Sequence, residues 1–263
     1  MKVLITCKLP QEVVSLIQKE HEIESHEDIS PMPREKLLQS MRDKDGLLCN
    51  IEDKVDAALL EKSPRLKMIA NYGVGFNNID VQAATRRSIP ISNTPGVLTD
   101  ATADTAFSLI LATARRIVEG DKLTRRGEYQ FWAPLQFLGR QVSGTTLGII
   151  GMGRIGKAVA RRARGFDMKV IYYDNCRCTE AVEKSLGAAL VDLDTLISTA
   201  DFISLHVPLM AETHHLINQE RLSKMKPTAF LINTSRGPVV DEQALLKALQ
   251  TGKIAGFAFA SSR

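Results

Sequence analysis

A glycine-rich turn between an apolar run and a helical pattern constrains the fold of this chain more than any other feature. The apolar run covers residues 147–150, and the turn after it reads Gly151-Met152-Gly153-Arg154-Ile155-Gly156. In a strand–turn–helix unit the first glycine permits a tight turn, the second lets the main chain approach a pyrophosphate, and the third lets helix and strand pack closely. Main-chain N–H groups at the start of the helix then face the phosphates. The pattern predicts a dinucleotide site formed by Gly151, Gly153, Arg154, Ile155 and Gly156.

An acidic residue stands where such a site needs one for the sugar. Asp174 ends the next apolar run, residues 169–173. A carboxylate at this position accepts hydrogen bonds from the adenosine ribose hydroxyls and repels a 2′-phosphate, which favours NAD over NADP. Arg177 lies shortly after it and could reach a phosphate, so NADP stays possible.

Apolar runs alternate with helical patterns along the chain, which is typical of an α/β fold with parallel sheets. Six runs after Thr145 predict a doubly wound parallel sheet, the Rossmann fold, and cover residues 147–150, 169–173, 189–191, 202–207, 229–233 and 254–260. Earlier runs predict a smaller, flavodoxin-like α/β domain and cover residues 3–7, 46–49, 66–70 and 89–92. We predict one domain over residues 1–98 and a dinucleotide domain over residues 99–263. A predicted helix, residues 100–118, has an apolar stripe that could bridge them or join a second subunit.

The bulk composition argues against several classes of protein. The formal charge of +4 is too small and too scattered to indicate nucleic-acid binding. No apolar stretch approaches the length of a membrane span, and the N-terminus predicts a first strand rather than a signal peptide. The four cysteines form no metal-ligand set, so we expect free thiols, no metal site and a cytoplasmic location.

Three further motifs go beyond a generic dinucleotide fold. They are residues 71–80, which read NYGVGFNNID, residues 93–96, NTPG, with residues 102–106, TADTA, and residues 231–241, LINTSRGPVVD. Together with the glycine turn, these motifs resemble the D-isomer-specific 2-hydroxyacid dehydrogenases, in particular the glyoxylate/hydroxypyruvate reductase branch. The resemblance extends to about Gly256, and it implies that residues 1–98 are the substrate domain. It implies an oxidoreductase that uses NAD(P)H to reduce a small 2-oxo acid to the D-2-hydroxy acid, and we expect a homodimer.

Two of these motifs supply the candidate substrate residues. Glycines on both sides of Val74 leave main-chain N–H groups exposed after a strand, which makes a nest for a carboxylate, although a tight turn without a ligand is the alternative. The family holds the substrate carboxylate at the matching loop, which assigns Val74 and Gly75. Arg236 follows a buried-looking strand, so its guanidinium should emerge at the sheet edge where open α/β sheets bind ligands. The resemblance implies that Arg236 binds the 2-oxo acid and stabilises the developing alkoxide.

The resemblance also implies which residues surround the nicotinamide. Val207 and Pro208 follow one strand, Thr234 and Ser235 follow the next, and both stretches match pocket-lining stretches of the family. We interpret His206 as a wall of this pocket, because the acid of the family lies elsewhere. The remaining histidines are expected at the surface, namely His21, His26, His214 and His215.

The closing residues depart from the family pattern. The family transfers a hydride from NADH to C2 of a 2-oxo acid, with a proton from a histidine whose pKa is raised by a glutamate, and both residues follow the sixth strand. After Arg236 this sequence has no histidine, and its one glutamate, Glu242, lies early in a helical pattern. The family usually has Leu-Asp-Val on the last strand, and its Asp contacts the nicotinamide amide, whereas this sequence reads Phe259-Ala260-Ser261.

We therefore expect a sequence cut at or just after its sixth strand, without the segment that returns to the first domain. A shortened chain, an altered reading frame at the end and a protein that has lost catalysis are the explanations that the residues leave open. NAD(H) binding with little turnover is expected, because general acid–base assistance is worth roughly a hundred- to ten-thousand-fold in rate. An inactive module that binds NAD or a partner protein is the alternative function.

Overall fold

A computed structural model describes residues 1–260 of the chain. They form two compact units, of which unit 1 is Met1–Leu98 and unit 2 begins at Thr99. Each unit is built on its own parallel sheet, so the α/β prediction is confirmed for both. Ser261 of the closing tripeptide lies outside the described residues. Within residues 1–260, every helix is too short or too polar to cross a lipid bilayer.

Unit 1 is a five-stranded parallel sheet with helices in the connections. Its strands and helices are β1 (Lys2–Ile5), α1 (Gln11–Gln18), β2 (Glu22–Ser25), α2 (Arg34–Ser40), β3 (Gly46–Asn50), α3 (Ala57–Glu61), β4 (Met68–Tyr72), α4 (Val81–Arg86) and β5 (Ile91–Ser92). The strands stand in the order β2-β1-β3-β4-β5. Asp56 and Asp80 start α3 and α4, because each carboxylate accepts a hydrogen bond from a main-chain N–H of the first turn. The core contains Leu4, Leu47, Leu59 and Ile69.

Unit 1 departs from the sequence predictions at two places. The sequence does not predict β2, because Glu22–Ser25 form an edge strand whose side chains are only partly buried and therefore lack an apolar run. The prediction that His26 is exposed is wrong. Its main-chain N–H donates to the carbonyl of Ile5, and its ring Nε2 lies 2.9 Å from the carbonyl oxygen of Ser30, so the side chain is buried beside the sheet. Among the other histidines, His214 and His215 are exposed and His21 is half-buried.

Unit 2 is a six-stranded parallel sheet flanked by helices. Its strands and helices are α5 (Thr99–Ala114), α6 (Ile117–Arg125), β6 (Thr146–Ile150), α7 (Arg154–Ala163), β7 (Lys169–Tyr173), α8 (Glu180–Leu186), β8 (Ala188–Leu190), α9 (Leu193–Thr199), β9 (Phe202–Leu205), α10 (Gln219–Lys224), β10 (Phe230–Asn233), α11 (Glu242–Gln250) and β11 (Gly256–Phe259). The strand order is β11-β10-β9-β6-β7-β8, which is the predicted doubly wound sheet. Its order reverses between β6 and β9, and ligands of such sheets bind at the carboxyl ends of the strands beside this reversal.

The predicted helix over residues 100–118 is two helices. α5 ends at Ala114, and α6 begins after Arg116, whose φ of 56° is left-handed. The break arises because the chain returns there: the N–H of Arg140 donates to the Ala114 carbonyl at 2.7 Å, and a Cβ on Gly139 would lie 2.8 Å from the same oxygen. The apolar stripe of α5 packs into the core of unit 2 through Ala103, Phe107, Ile110 and Ala114. These four residues are therefore not available to a second subunit, whereas Val118, the last residue of the predicted stripe, lies on α6 and is 58% exposed.

Candidate functional site

The glycine turn lies between β6 and α7, at the reversal point of the unit 2 sheet. Gly151 has a φ of 98°, and a Cβ there would lie 2.7 Å from the main-chain carbonyl carbon of His206. A Cβ on Gly156 would lie 2.2 Å from the carbonyl oxygen of Gly151. Around Gly153, in contrast, a Cβ would meet nothing within 4 Å. Gly151 is thus required by its φ and by the close approach of the end of β9, and Gly156 by the packing of the turn itself. Gly153 keeps a space open.

The helix that follows the turn begins without a side-chain cap. Gly153 is its N-cap residue and has no side chain to accept the first N–H groups. Within residues 1–260, the main-chain N–H groups of Arg154, Ile155 and Gly156 have no hydrogen-bond acceptor. Such amides at a helix N-terminus bind anions, and the space beside Gly153 lets a phosphate approach them. The turn therefore fits the pyrophosphate of a dinucleotide.

Asp174 is bonded to the glycine turn. It follows β7, and its Oδ2 accepts a 2.7 Å hydrogen bond from the N–H of Met152. Its Oδ1 accepts a 2.9 Å bond from the N–H of Cys176. Two main-chain bonds fix the carboxylate next to the turn while each oxygen keeps further lone pairs. A carboxylate held in this way suits the ribose hydroxyls of an adenine dinucleotide.

The ends of β9 and β10 bring four more predicted residues to the same edge of the unit 2 sheet. Val207 and Pro208 follow β9, and Thr234 and Ser235 follow β10. Carboxyl ends of neighbouring parallel strands share one sheet edge, and β6 is paired with β9 and β9 with β10. The structure thus places these residues at the edge that carries the glycine turn.

His206 connects the two strand ends through its ring. Its Nε2 lies 2.9 Å from Ser204 Oγ, and its Nδ1 lies 3.3 Å from Thr234 Oγ1. Burial lowers the pKa of His206 to about 4. The ring is therefore neutral at neutral pH, and it supports Thr234 rather than supplying a positive charge.

Arg236 lies beyond the end of β10 and is half-buried. One of its guanidinium nitrogens, Nη1, donates a 2.9 Å hydrogen bond to the carbonyl of Ser235. Asn233, the last residue of β10, binds this segment at both ends: its Oδ1 accepts from the N–H and hydroxyl of Ser235, and its Nδ2 donates to the carbonyl of Arg236. Sequence reasoning gave Asn233 no role. A fully buried polar residue at the end of an apolar strand is the signal that could have identified it.

The loop after β4 contains the other two predicted substrate residues and belongs to unit 1. Its shape is set by Gly73, because a Cβ there would lie 2.4 Å from Ile51 Cγ2. Asn71 Nδ2 donates a 2.8 Å bond to the carbonyl of Gly75, and Asn93 Nδ2 donates a 2.8 Å bond to the carbonyl of Val74. Both carbonyls of the predicted pair are therefore engaged within unit 1.

The main-chain N–H groups of the same two residues are not engaged. Within the described part of the chain, neither Val74 nor Gly75 donates its N–H to any acceptor. Engaged carbonyls and open N–H groups are what a carboxylate-binding nest needs. Sequence reasoning selected this loop but assigned no part to Asn71 and Asn93, which hold it.

Comparison with known proteins identifies the family. The model of the D-isomer specific 2-hydroxyacid dehydrogenase NAD binding domain matches residues 107–260. The chain belongs to this family. It is 54% identical to the glyoxylate reductase of Thermococcus litoralis over 97% of this chain and 78% of that protein. The predictions of family, oxidoreductase class and NAD cofactor are confirmed.

Two solved structures show that known proteins share the fold of this chain. A protein from Thermus thermophilus superposes with a TM-score of 0.91 at 41% identity, over 100% of this chain and 82% of that one. The D-lactate dehydrogenase of Aquifex aeolicus, solved with NAD and lactic acid, gives 0.87 at 34% identity, over 99% of this chain and 77% of that one. The match to the family extends through both units, since nearly all of this chain is covered.

Proposed function

We propose that this chain binds NAD(H) through unit 2 and reduces a small 2-oxo acid of the glyoxylate or hydroxypyruvate type to its D-2-hydroxy acid. The observation that carries the proposal is the glycine turn, whose N–H groups at Arg154, Ile155 and Gly156 are open beside the fixed carboxylate of Asp174. Gly151 and Gly156 hold the turn, and the space at Gly153 admits a pyrophosphate. The glyoxylate reductase of Thermococcus litoralis, which is 54% identical over 97% of this chain and 78% of that protein, supports the substrate class.

The residues at the ends of β9 and β10 act on the nicotinamide end of the cofactor. When bound, NADH supplies the hydride that the carbonyl carbon of the substrate receives. Val207, Pro208, Thr234 and Ser235 line the nicotinamide pocket in this proposal and exclude water from it. His206 stays neutral and supports Thr234.

Substrate binding rests on charge-assisted hydrogen bonds. The N–H groups of Val74 and Gly75 bind the carboxylate of the 2-oxo acid. Arg236 binds the acid with a planar pair of donors and stabilises the negative charge that develops on the carbonyl oxygen. Its guanidinium is oriented by the bond to the Ser235 carbonyl, and its main chain is held by Asn233.

The reaction needs a proton donor, and the family places this histidine and its glutamate partner after the sixth strand of the dinucleotide domain. Residues 237–263 contain no histidine, and their one glutamate, Glu242, is exposed at the first position of α11. At the position of the nicotinamide-binding Asp implied by the family stands Ala260, which has no polar side chain. A polypeptide of residues 1–263 by itself is therefore expected to bind NAD(H) and turn over slowly. The alanine at position 260 is the observation that favours an inactive NAD-binding module as the second candidate function.

A homodimer accounts for the exposed apolar side chains of unit 2. None of the residues of α6 is buried, and the loop after it exposes Phe131, Trp132, Leu135 and Leu138. Contiguous exposed apolar surface usually marks an interaction site, and a second copy of the chain is the simplest symmetric partner. A cytoplasmic location is supported by the four cysteines, which are all free thiols.

Fluorescence titration with NADH, followed by an assay of NADH oxidation with glyoxylate and hydroxypyruvate, tests the proposal. A folded polypeptide of residues 1–263 should bind NADH and oxidise it at least about a hundredfold more slowly than the Thermococcus litoralis relative. Absence of NADH binding by folded protein would refute the cofactor site. Turnover equal to that of the relative would refute the assignment of weak catalysis and leave the binding assignment intact.

A further inference from the structure

A guanidinium close in sequence to the predicted ribose-binding carboxylate is already engaged. Arg177 lies in the loop between Asp174 and α8, and it forms a bidentate ion pair with Glu183. Nε lies 3.0 Å from Oε1, and Nη2 lies 3.0 Å from Oε2. Both carboxylate oxygens and two guanidinium nitrogens are used, which is the strongest geometry available to this kind of pair.

Tyr172 holds the acidic partner of this pair. Its hydroxyl donates a 2.6 Å hydrogen bond to Glu183 Oε1 and accepts a 2.9 Å bond from the N–H of Cys178. Burial and the bond to Glu183 raise the pKa of Tyr172 to about 12. The Arg177 guanidinium and the Tyr172 hydroxyl keep the pKa of Glu183 below its usual range. The pair is therefore charged, and its donor hydroxyl is neutral, throughout the physiological pH range.

The two partners differ in mobility. Arg177 exposes 68% of its side chain, whereas Glu183 exposes 11%. Glu183 lies on α8 and is bonded to a fully buried tyrosine, so it cannot follow the arginine into solvent. Turning Arg177 towards a ligand would break both bonds of the pair and leave a mostly buried carboxylate with one hydrogen bond.

We propose that Glu183 is a specificity-determining residue that makes this chain select NAD(H) over NADP(H), because it holds Arg177 away from the 2′-position of the adenosine ribose. The proposal rests on the cofactor site proposed above. A 2′-phosphate would stand beside the Asp174 carboxylate, which repels it, and it would need a cation to offset that repulsion. Arg177 is a cation on the same loop, and its ion pair with Glu183 keeps it from binding the 2′-phosphate.

Three variants separate this role from a general effect on the fold. Glu183→Gln keeps the shape of the side chain and removes the charge that binds Arg177. Arg177→Ala removes the guanidinium while Glu183 stays. The double variant Arg177→Ala/Glu183→Gln removes both. Dissociation constants for NADH and NADPH are measured by fluorescence titration, with adenosine 2′,5′-bisphosphate and AMP as competitors, and circular dichroism confirms folding of each variant.

The unmodified chain should bind NADH at least about tenfold more tightly than NADPH. Glu183→Gln should tighten NADPH binding about three- to fivefold, the scale of one partly exposed ion pair, and change NADH binding by less than about twofold. The double variant should lose that gain. Arg177→Ala alone should change NADPH binding by less than about twofold, since its guanidinium is already engaged. This last variant keeps the proposal testable even if Glu183→Gln does not fold.

Several results would overturn the proposal. They are equal affinity of the unmodified chain for the two cofactors, no gain in Glu183→Gln, a gain that survives in the double variant, or a large loss of NADPH affinity in Arg177→Ala. Each of these leaves NADH binding intact. Failure of the cofactor site itself gives a different result, because the folded, unmodified chain then binds neither dinucleotide.

Discussion

The side-chain amide of Asn71 donates a 2.8 Å hydrogen bond to the main-chain carbonyl of Gly75, and Asn71 is 2% exposed. An exposed carbonyl at this point would repel a carboxylate, so the bond removes an unfavourable neighbour from the nest. It also fixes the peptide whose N–H groups stay open. Asn71 is thereby a positioning residue for the proposed carboxylate site.

We predict that Asn71→Ala weakens binding of oxamate, an unreactive analogue of a 2-oxo acid, about tenfold in the presence of NADH. The variant should lose about 1–3 kcal/mol in the free energy of unfolding, because the Gly75 carbonyl is left without its partner. The dissociation constant of NADH should be unchanged. Asn93→Ala, which removes a bond from an exposed side chain to the Val74 carbonyl, is the matched control and should have the smaller effect on stability. Unaltered oxamate binding in Asn71→Ala would contradict the positioning role.

The glycine turn gives a prediction in which two glycine-to-alanine substitutions affect different properties, one the stability of the fold and the other the binding of NADH. Gly156→Ala places a Cβ 2.2 Å from the Gly151 carbonyl oxygen and should lower the free energy of unfolding by about 3 kcal/mol. Gly153→Ala places a Cβ in open space at a φ of −71°, so its stability should be nearly unchanged. The same Cβ occupies the proposed path of the pyrophosphate, and NADH binding should weaken at least about tenfold.

Thermal unfolding and NADH titration of the two variants check this pair. A Gly153→Ala protein that binds NADH normally would show that the open space beside the helix N-terminus is not used by the cofactor. A fully stable Gly156→Ala protein would contradict the close packing of the turn.

The glycine turn could be predicted because the spacing of its glycines is a local signal in the sequence, whereas other features depend on distant residues that leave no such signal. Gly151, Gly153 and Gly156 follow an apolar run directly, and this pattern is visible in the sequence before any contact of the turn is known. The break at Arg116 could not be predicted, because the chain returning at residues 139–140 causes it. Edge strand β2 has too little burial to leave an apolar pattern. Asn71 and Asn233 likewise act through hydrogen bonds to a folded loop, and such bonds leave no periodic pattern in the sequence.

His206 should make the stability of the chain depend on pH. Burial lowers the pKa of its imidazole from 6.5 to about 4 in the folded state. Between these values the unfolded chain binds the proton more readily, so the free energy of unfolding falls as the pH drops from about 6.5 towards 4. The loss at pH 5 is about 2 kcal/mol at most. Denaturant unfolding at pH 7 and pH 5 measures it.

His206→Gln is the reference for this measurement, because its side chain does not titrate. Asp53 acts in the opposite sense, since burial raises the pKa of its carboxyl and folding therefore favours its protonated form. The difference between unmodified and His206→Gln protein cancels that contribution. From pH 7 to pH 5, the free energy of unfolding should fall more for the unmodified chain than for His206→Gln. The same difference between the two proteins at both pH values would contradict a lowered pKa of His206.

The exposed loop after α6 predicts the oligomeric state. Trp132 and Leu135 are 75% and 86% exposed, so replacing both by serine should leave the folded core intact and remove the two most exposed apolar side chains of the proposed dimer surface. Sedimentation should give twice the chain mass of 29.0 kDa for the unmodified chain and a single mass for the double variant. Leu16→Ser, at an exposed position of α1, is the control and should remain dimeric. A dimer that survives the double substitution would locate the interface elsewhere.

Arg236 should affect substrate binding without affecting the cofactor. Its planar guanidinium can donate two parallel hydrogen bonds to a carboxylate or carbonyl group, and a lysine ammonium cannot reproduce this geometry. Arg236→Lys keeps the positive charge, so the loss it causes reports geometry rather than charge. A charge-assisted hydrogen bond is worth about 1.5–3 kcal/mol, which predicts about ten- to a hundredfold weaker oxamate binding. The dissociation constant of NADH should change by less than about twofold, and Arg161→Lys, on an exposed position of α7, should change neither. Unchanged oxamate binding in Arg236→Lys would mean that the positive charge alone binds the acid. A parallel loss of NADH affinity would assign Arg236 to the cofactor site instead of the substrate site.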